Sequence, residues 1–263
     1  REDSDITLTT KNETTDETET TDKTKPTSNT VTIDAKEDNT ANVTLQDVHI
    51  ETERSWDNSG SAPIEIKGDG DTNLELNGNN TVLSGSSKHA GIEKADVNGT
   101  GTLTIKDDLN DNGKEKSGTD ATGTLVAGGC YSGAGIGGGG YHDGKSYNDT
   151  SNITITGGDI TASGGTHAAG IGGGFDGGCG IGGGGRPGGT GKNIRIEGDA
   201  HVTAYAYDSG AIGSGYEPSG DSDITITDHA TVEAASVEGS GIGQGINASG
   251  KATITISGHA SVH

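Results

Sequence analysis

Apolar residues in this chain fall almost everywhere at alternate positions, in short runs separated by turn-forming residues. Val31-Thr-Ile33, Val43-Thr-Leu45, Val48-His-Ile50, Ile64-Glu-Ile66, Leu74-Glu-Leu76 and Leu103-Thr-Ile105 each repeat with period two. Such alternation puts one face of a pleated strand in a core and the other in water. No stretch carries the 3.6-residue period of an amphipathic helix, and no apolar run approaches the roughly 18 residues a membrane span needs.

The pattern is also periodic on a longer scale. Ala134-Gly-Ile-Gly-Gly-Gly139, Ala169-Gly-Ile-Gly-Gly-Gly174, Ala211-Ile-Gly-Ser-Gly215 and Gly241-Ile-Gly-Gln-Gly245 recur. Each is followed by an alternating strand (Ile153-Thr-Ile155, Ile194-Arg-Ile196, Ile224-Thr-Ile226, Ile254-Thr-Ile256) and then by a third element, Asp159-Ile160-Thr-Ala162, His201-Val202-Thr-Ala204, Thr231-Val232-Glu-Ala234 and Ser261-Val262. Ile212 to Ile242, Ile226 to Ile256 and Val232 to Val262 span one and the same interval, while Ile136, Ile171 and Ile212 predict longer units before it. Units of this size that cannot bury a face alone stack into solenoids. Three short strands per unit, Ile over Ile, predict an all-β fold: a right-handed parallel β-helix with about three strands per coil, its hand following the general preference of parallel crossovers. The Gly-Ile-Gly-Gly-Gly runs supply positive φ and close backbone approach at the turns; neither the Lys-Ser/Thr of a P-loop nor the strand-to-helix setting of a dinucleotide site accompanies them.

Residues 1–30, rich in Thr and acids with Ile6 and Leu8 as their clear core candidates, read as a linker or stalk, and 31–263 as the β-helix domain. Val262 opens the third strand of its unit and no cap follows, so the domain is expected to be truncated at that end and part of a longer chain.

Composition sharpens the picture. Thirty-nine acids against 17 bases leave the 263-residue chain at −22, which disfavours nucleic acid and anionic membrane surfaces, whose binding depends on Lys and Arg. Cations and neutral ligands are the favoured partners. Low apolar content with this charge is otherwise a signature of disorder; regular order of the few Ile, Val and Leu overrides it. Cys130 and Cys179 cannot form a disulfide framework, and a single bridge between them stays open.

Two groups of residues carry candidate chemistry. Asp107, Asp108, Asn110, Asp111, Asn112, Gly113 and Asp120 sit in an insertion after Leu103-Thr-Ile105; Asp108, Asn110 and Asn112 hold positions 1, 3 and 5 of a calcium-loop pattern with Gly113 at 6. Lys116 stands at position 9, and position 12 is Thr119 rather than Glu. Ca²⁺ is the expected cofactor, against a solvated Asn/Asp/Gly loop. Aromatic residues form the second group. Tyr141, Phe175 and Tyr216, with Ile246, lie four or five residues after the Gly-Ile-Gly isoleucines and are expected to pack in a column. Trp56, Tyr131, Tyr147, Tyr205 and Tyr207 lie outside it and are candidate sugar platforms. Trp56, in the loop Ser55-Trp-Asp-Asn-Ser-Gly60, has the clearest need of a reason for exposure. His201, His229 and His259 occupy near-equivalent places, the last two one repeat apart and expected to stack, as a surface ladder or a metal ladder. No arrangement points to catalysis: paired acids on neighbouring rungs remain conceivable for a polysaccharide lyase or hydrolase, but Arg195 beside Glu197 reads as a surface ion pair. Arg195 also interrupts the Thr154, Thr225, Thr255 rank that an ice-binding face would need.

The segments Asn42-Val-Thr-Leu-Gln-Asp-Val-His-Ile-Glu-Thr52, Ala62-Pro-Ile-Glu-Ile66, Asn73-Leu-Glu-Leu-Asn-Gly-Asn-Asn-Thr-Val-Leu83, Ala90-Gly-Ile92 and Gly99-Thr-Gly-Thr-Leu-Thr-Ile105 resemble the calcium-containing β-helix carbohydrate-binding domains of cellulolytic clostridia. The Gly-rich half is similar to repetitive surface proteins of gut Firmicutes. The resemblance implies a non-catalytic polysaccharide-binding or adhesion module of a Gram-positive bacterium, secreted or held at the cell surface, with bound Ca²⁺ and an acidic plant or host glycan as partner. A structural spacer in a large adhesin and a β-helix enzyme are the rival readings.

Overall fold

A computed structural model describes residues 5–10, 28–56, 60–94, 100–110, 112–142, 145–146, 149–166, 179–184 and 188–263. It is a parallel β-helix. Seven successive coils each contribute one strand to three parallel sheets, in the order sheet I, sheet II, sheet III. In the first coil these are Val31–Asp34, Thr40–Gln46 and His49–Glu51; in the last, Ile242–Gly243, Ala252–Ile256 and Ser261–Val262. Among the described residues no helix is long and apolar enough to cross a membrane.

Period-two alternation explains the core. In sheet II, Val43, Leu74, Ile105, Ile155, Ile196, Ile226 and Ile256 lie one above another in register. Ile64, Ile92, Ile136, Ile181, Ile212 and Ile242 do the same in sheet I. With rungs about 4.8 Å apart, each inner Ile touches its counterparts on both sides. Burying such a side chain stabilises by about 1.5–3 kcal/mol. Ile6 (55% exposed), Ile254 (42%) and Ile256 (51%) belong to the outermost rungs, where a neighbour lies on one side only.

The sheet I column corrects one expected unit boundary. Ile136 pairs with Ile181, not Ile171, and Ile181 in turn with Ile212. The unit that starts at Ile136 is therefore longer than the motif positions predict, and the next is shorter. The sequence holds two Gly-Ile-Gly-Gly-Gly copies in this unit, and pairing is made by the one nearer the following strand, which leaves its connection to Gly191–Ile196 short. Ile171 lies outside the described residues.

From Ile136 onward, the glycine after each sheet I isoleucine is required by the stack. Gly137, Gly182 and Gly213 have φ of 133°, 133° and 134°, and a Cβ on any of them would lie 2.0–2.1 Å from the carbonyl oxygen of the next glycine in the column. At the corner between sheets II and III the chain turns through left-handed residues, Asp47, Gly78, Gly158, Gly198, Asp228 and Gly258. Asp47 and Asp228 also accept backbone N–H groups of neighbouring coils, Asn79 at 3.0 Å and Gly198 at 3.1 Å.

Asp5–Thr9, inside the segment read as a linker, pairs in parallel with Thr40–Gln46, Ile6 on Val43 and Leu8 on Leu45. Its alternating Ile6-Thr-Leu8 is a sheet II rung in miniature. Cys130 and Cys179 are both buried and unbridged.

Candidate functional site

Coil 1 leaves sheet III at Glu51 and takes a long path, 52–63, back to Ile64 in sheet I. Coil 2 holds this path from below. Thr52 N–H donates to the Leu83 carbonyl (3.0 Å) and Ser55 N–H to that of Gly85 (3.2 Å), while Ser87 N–H donates to the Ser55 carbonyl (2.7 Å). The Thr52 hydroxyl accepts Gly85 N–H at 3.0 Å. Gly60 lets the returning chain cross close above Ser86, where a Cβ would lie 2.0 Å from Oγ.

These constraints shape an open cleft of about 550 Å³ lined by Ser28, Thr30, Thr52, Glu53, Arg54, Ser55, Trp56, Gly60, Ser61 and Ser86. Its walls are mostly hydroxyls. Trp56 stands in it with 53% of its surface exposed, and the Arg54 guanidinium lies 4.3 Å from the ring centroid. A large flat apolar surface framed by donors and acceptors fits a ring with one apolar face and a polar rim. The Arg54 contact orients the indole through the attraction of a cation to its π-face.

The same corner of later coils carries further candidates. Burial raises the Cys130 thiol pKa, against an opposing effect of the Arg54 charge, and Cys130 Sγ donates to the Gly85 carbonyl at 3.5 Å. Tyr131 follows at once, half-buried with φ of 51°. Tyr131 and Tyr207 are each five residues before a sheet I isoleucine, Ile136 and Ile212, and so occupy the same corner two coils apart. Two rungs amount to about 9–10 Å. Trp56 lies at this corner two coils before Tyr131. Tyr205 sits instead on the outer face of sheet III, between Ser163 and Ala235 in register; these small neighbours leave its half-buried ring standing above the sheet. Tyr147 lies outside the described residues, as do Phe175 and the Tyr141 side chain, so the expected column is described only at Tyr216 and Ile246, both half-buried and joined by Glu217 N–H to the Ile246 carbonyl (3.0 Å).

The acidic insertion, 107–123, lies at the other end of sheet III, between Leu103–Lys106 and Thr124–Cys130. Asp107 Oδ1 is paired with Lys116 Nζ, and Oδ2 accepts Gly123 N–H at 3.0 Å. Asp108 is 3.1 Å from Lys106 Nζ. Asn110 Oδ1 accepts the N–H groups of Asn112 (3.0 Å) and Lys114 (3.2 Å). Asp120 accepts Ser117 N–H at 2.8 Å, which holds its pKa below the usual carboxylate range. Asn112 is exposed; Asp111 lies outside the described residues. Arranged this way, side-chain oxygens of four of its members already face ammonium or amide protons. Among the described residues no group of three or more His, Cys, Asp and Glu is placed to hold a metal.

Beneath this loop Glu75 is buried, its Oε1 accepting Leu109 N–H at 2.6 Å and its Oε2 3.6 Å from Lys106 Nζ. Burial raises its pKa, outweighing the lowering by Leu109 and Lys106. Burial draws the Lys106 pKa down, but Asp108 and Glu75 more than reverse this.

One charged group escaped sequence reasoning. His89 and Glu93 are buried, with Nδ1 to Oε2 at 3.0 Å, and the same carboxylate oxygen accepts Ala90 N–H at 3.0 Å. Lys94 beside them is buried too. Their signal was present: Glu93 and Lys94 stand where later coils have Gly137-Gly138 and Gly182-Gly183. His229 and His259 stack as expected, centroids 5.3 Å apart and rings 14° from parallel. Arg195 pairs with Glu197 at 2.6 Å. No protein-family model, curated protein or solved structure matches the chain.

Proposed function

We propose that this protein is a non-catalytic carbohydrate-binding module, displayed outside the cell, that takes a glycan into the cleft at Trp56 and along the corner leading to Tyr131 and Tyr207. The observation that carries this reading is a half-exposed indole oriented by Arg54 among serine and threonine hydroxyls. Aromatic stacking gives affinity for the apolar face of a sugar, and hydroxyls with Glu53 and Arg54 exchange hydrogen bonds with its rim. Among the described residues that line the cleft Glu53 is the one carboxylate, and a glycoside hydrolase ordinarily uses two. The −22 charge favours a neutral glycan over an acidic one.

Trp56 is the only tryptophan, so intrinsic fluorescence reports on the cleft directly. Titration with a panel of soluble oligosaccharides is expected to shift or quench its emission, and Trp56→Ala to weaken retention on the same glycans by about tenfold or more, equivalent to ~1.4 kcal/mol. Unchanged emission across neutral and acidic glycans, with no retention on an array, would refute the reading and favour a spacer.

A further inference from the structure

The 107–123 insertion has the opening of a calcium loop but is folded around its own cations. Two ammoniums, Lys106 and Lys116, face three carboxylates, Glu75, Asp107 and Asp108. The Lys116–Asp107 pair is the innermost, with 16% and 7% of the side chains exposed. Asp107 does more than neutralise it. Its second oxygen accepts Gly123 N–H at 3.0 Å, so one carboxylate ties the first residue of the insertion to the last. Lys116 N–H donates to the Asp108 carbonyl at 2.8 Å, and Leu109 bridges Glu115, which closes the tip as a small antiparallel hairpin. A bound divalent ion ties separate parts of such a loop together through their oxygens; here Asp107 does so, with one oxygen on the Lys116 ammonium and the other on Gly123 N–H.

We propose that Lys116 takes the place of that ion: its ammonium, supplied by position 9 of the loop itself, holds the insertion against coil 3, which folds and stays folded without calcium. The missing acid at Thr119 is then accounted for. A loop that carries its own cation needs fewer carboxylates, and a bidentate Glu there would add negative charge with nothing to receive it. Trp56 lies in coil 1 at the other corner, so the role of Lys116 does not depend on glycan binding.

Thermal unfolding of the full chain in excess CaCl2 and in EDTA tests it, with MgCl2 as the control. A calcium site filled at 100 times its Kd would raise Tm by roughly 5–10 °C; the parent protein is expected to melt at the same temperature in both media. Lys116→Gln is expected to lower Tm in EDTA and to recover in CaCl2 but not in MgCl2, because the emptied place then accepts the ion. Asp107→Asn, which keeps an acceptor for Gly123 but loses the charge, is expected to lower Tm in both media without recovery. A parent Tm that rises with calcium overturns the proposal, as does Lys116→Gln melting like the parent in EDTA. A destabilised Lys116→Gln that calcium fails to restore would reduce the pair to an ordinary ion pair and overturn it equally.

Discussion

The coils from Ile181 to His263 and those from Val31 to Cys130 share the same three columns, yet only the former are regular. Ile181, Ile212 and Ile242 of sheet I follow one another at almost equal intervals, whereas the interval from Ile92 to Ile136 is far longer than that from Ile64 to Ile92. Buried ionisable side chains follow the same division. Glu75, His89, Glu93 and Lys94 are buried in the earlier coils, against Asp208 alone among the described residues of the later ones. Regular coils have short corners with no room for side chains to converge. Where a corner lengthens, as at 52–63 and 107–123, the extra chain lies on the outside of the stack, and clefts, insertions and buried polar pairs become possible. The stack supplies stability, and its interruptions supply chemistry.

This contrast can be broken most severely in the regular part. Gly213→Val would place a branched side chain at φ of 134° and its Cβ 2.1 Å from the Gly243 carbonyl oxygen; a loss of about 4 kcal/mol or more is expected, read as a collapse of the cooperative melt by circular dichroism. Ile196→Ala, in the middle of the sheet II column, is expected to lose about 2–5 kcal/mol in urea denaturation, and a loss under about 1 kcal/mol would show that rungs do not depend on their neighbours. Trp56→Ala should separate the two regions: stability within about 0.5 kcal/mol of the parent, glycan retention lost.

Glu75→Gln probes the irregular part by pH. The folded-state pKa of Glu75 is raised, so its ionisation in the folded protein is disfavoured. Its contribution to stability is fully present below the unfolded value, about 4.3, and is lost as pH rises through the raised one. The variant, which keeps an oxygen for Leu109 N–H, is therefore expected to gain on the parent as pH rises above about 4.3, as followed by urea midpoints at each pH. A gap that stays constant would mean that Lys106 cancels the burial. The smallest effect belongs to Arg195→Thr, which restores the threonine rank on sheet II and removes a half-exposed pair worth no more than about 0.2–1 kcal/mol.

Much of this was legible in the residues. Ile-Thr-Ile alternation recurring at a fixed interval leaves little choice but a stack of parallel strands, and Trp56 in a polar loop stood out because the chain has no other. Ile171 and Ile181 lie in identical Gly-Ile-Gly-Gly-Gly motifs; the fuller Ala-Gly-Ile-Gly-Gly-Gly match at Ala169 points to Ile171, while the interval to Ile212, nearly that from Ile212 to Ile242, points to Ile181, which is the one that pairs. The calcium pattern at Asp108, Asn110 and Asn112 was legible as a spacing. Its sequence did not say that Lys116 folds back to Asp107, since that contact depends on where sheets II and III hold the two ends of the insertion.

By itself the sequence determined the periodicities: which residues face inward, how many strands make a coil, and which glycines have no room for a side chain. These are local rules, repeated every rung, and repetition makes them unambiguous. Tertiary structure alone decided which residues the irregular corners bring together, setting Arg54 over Trp56 beside Ser86 of the next coil, His89 on Glu93 inside the wall, and Lys116 on Asp107. Such meetings depend on the lengths and paths of irregular connections, for which no repeating pattern exists to be read.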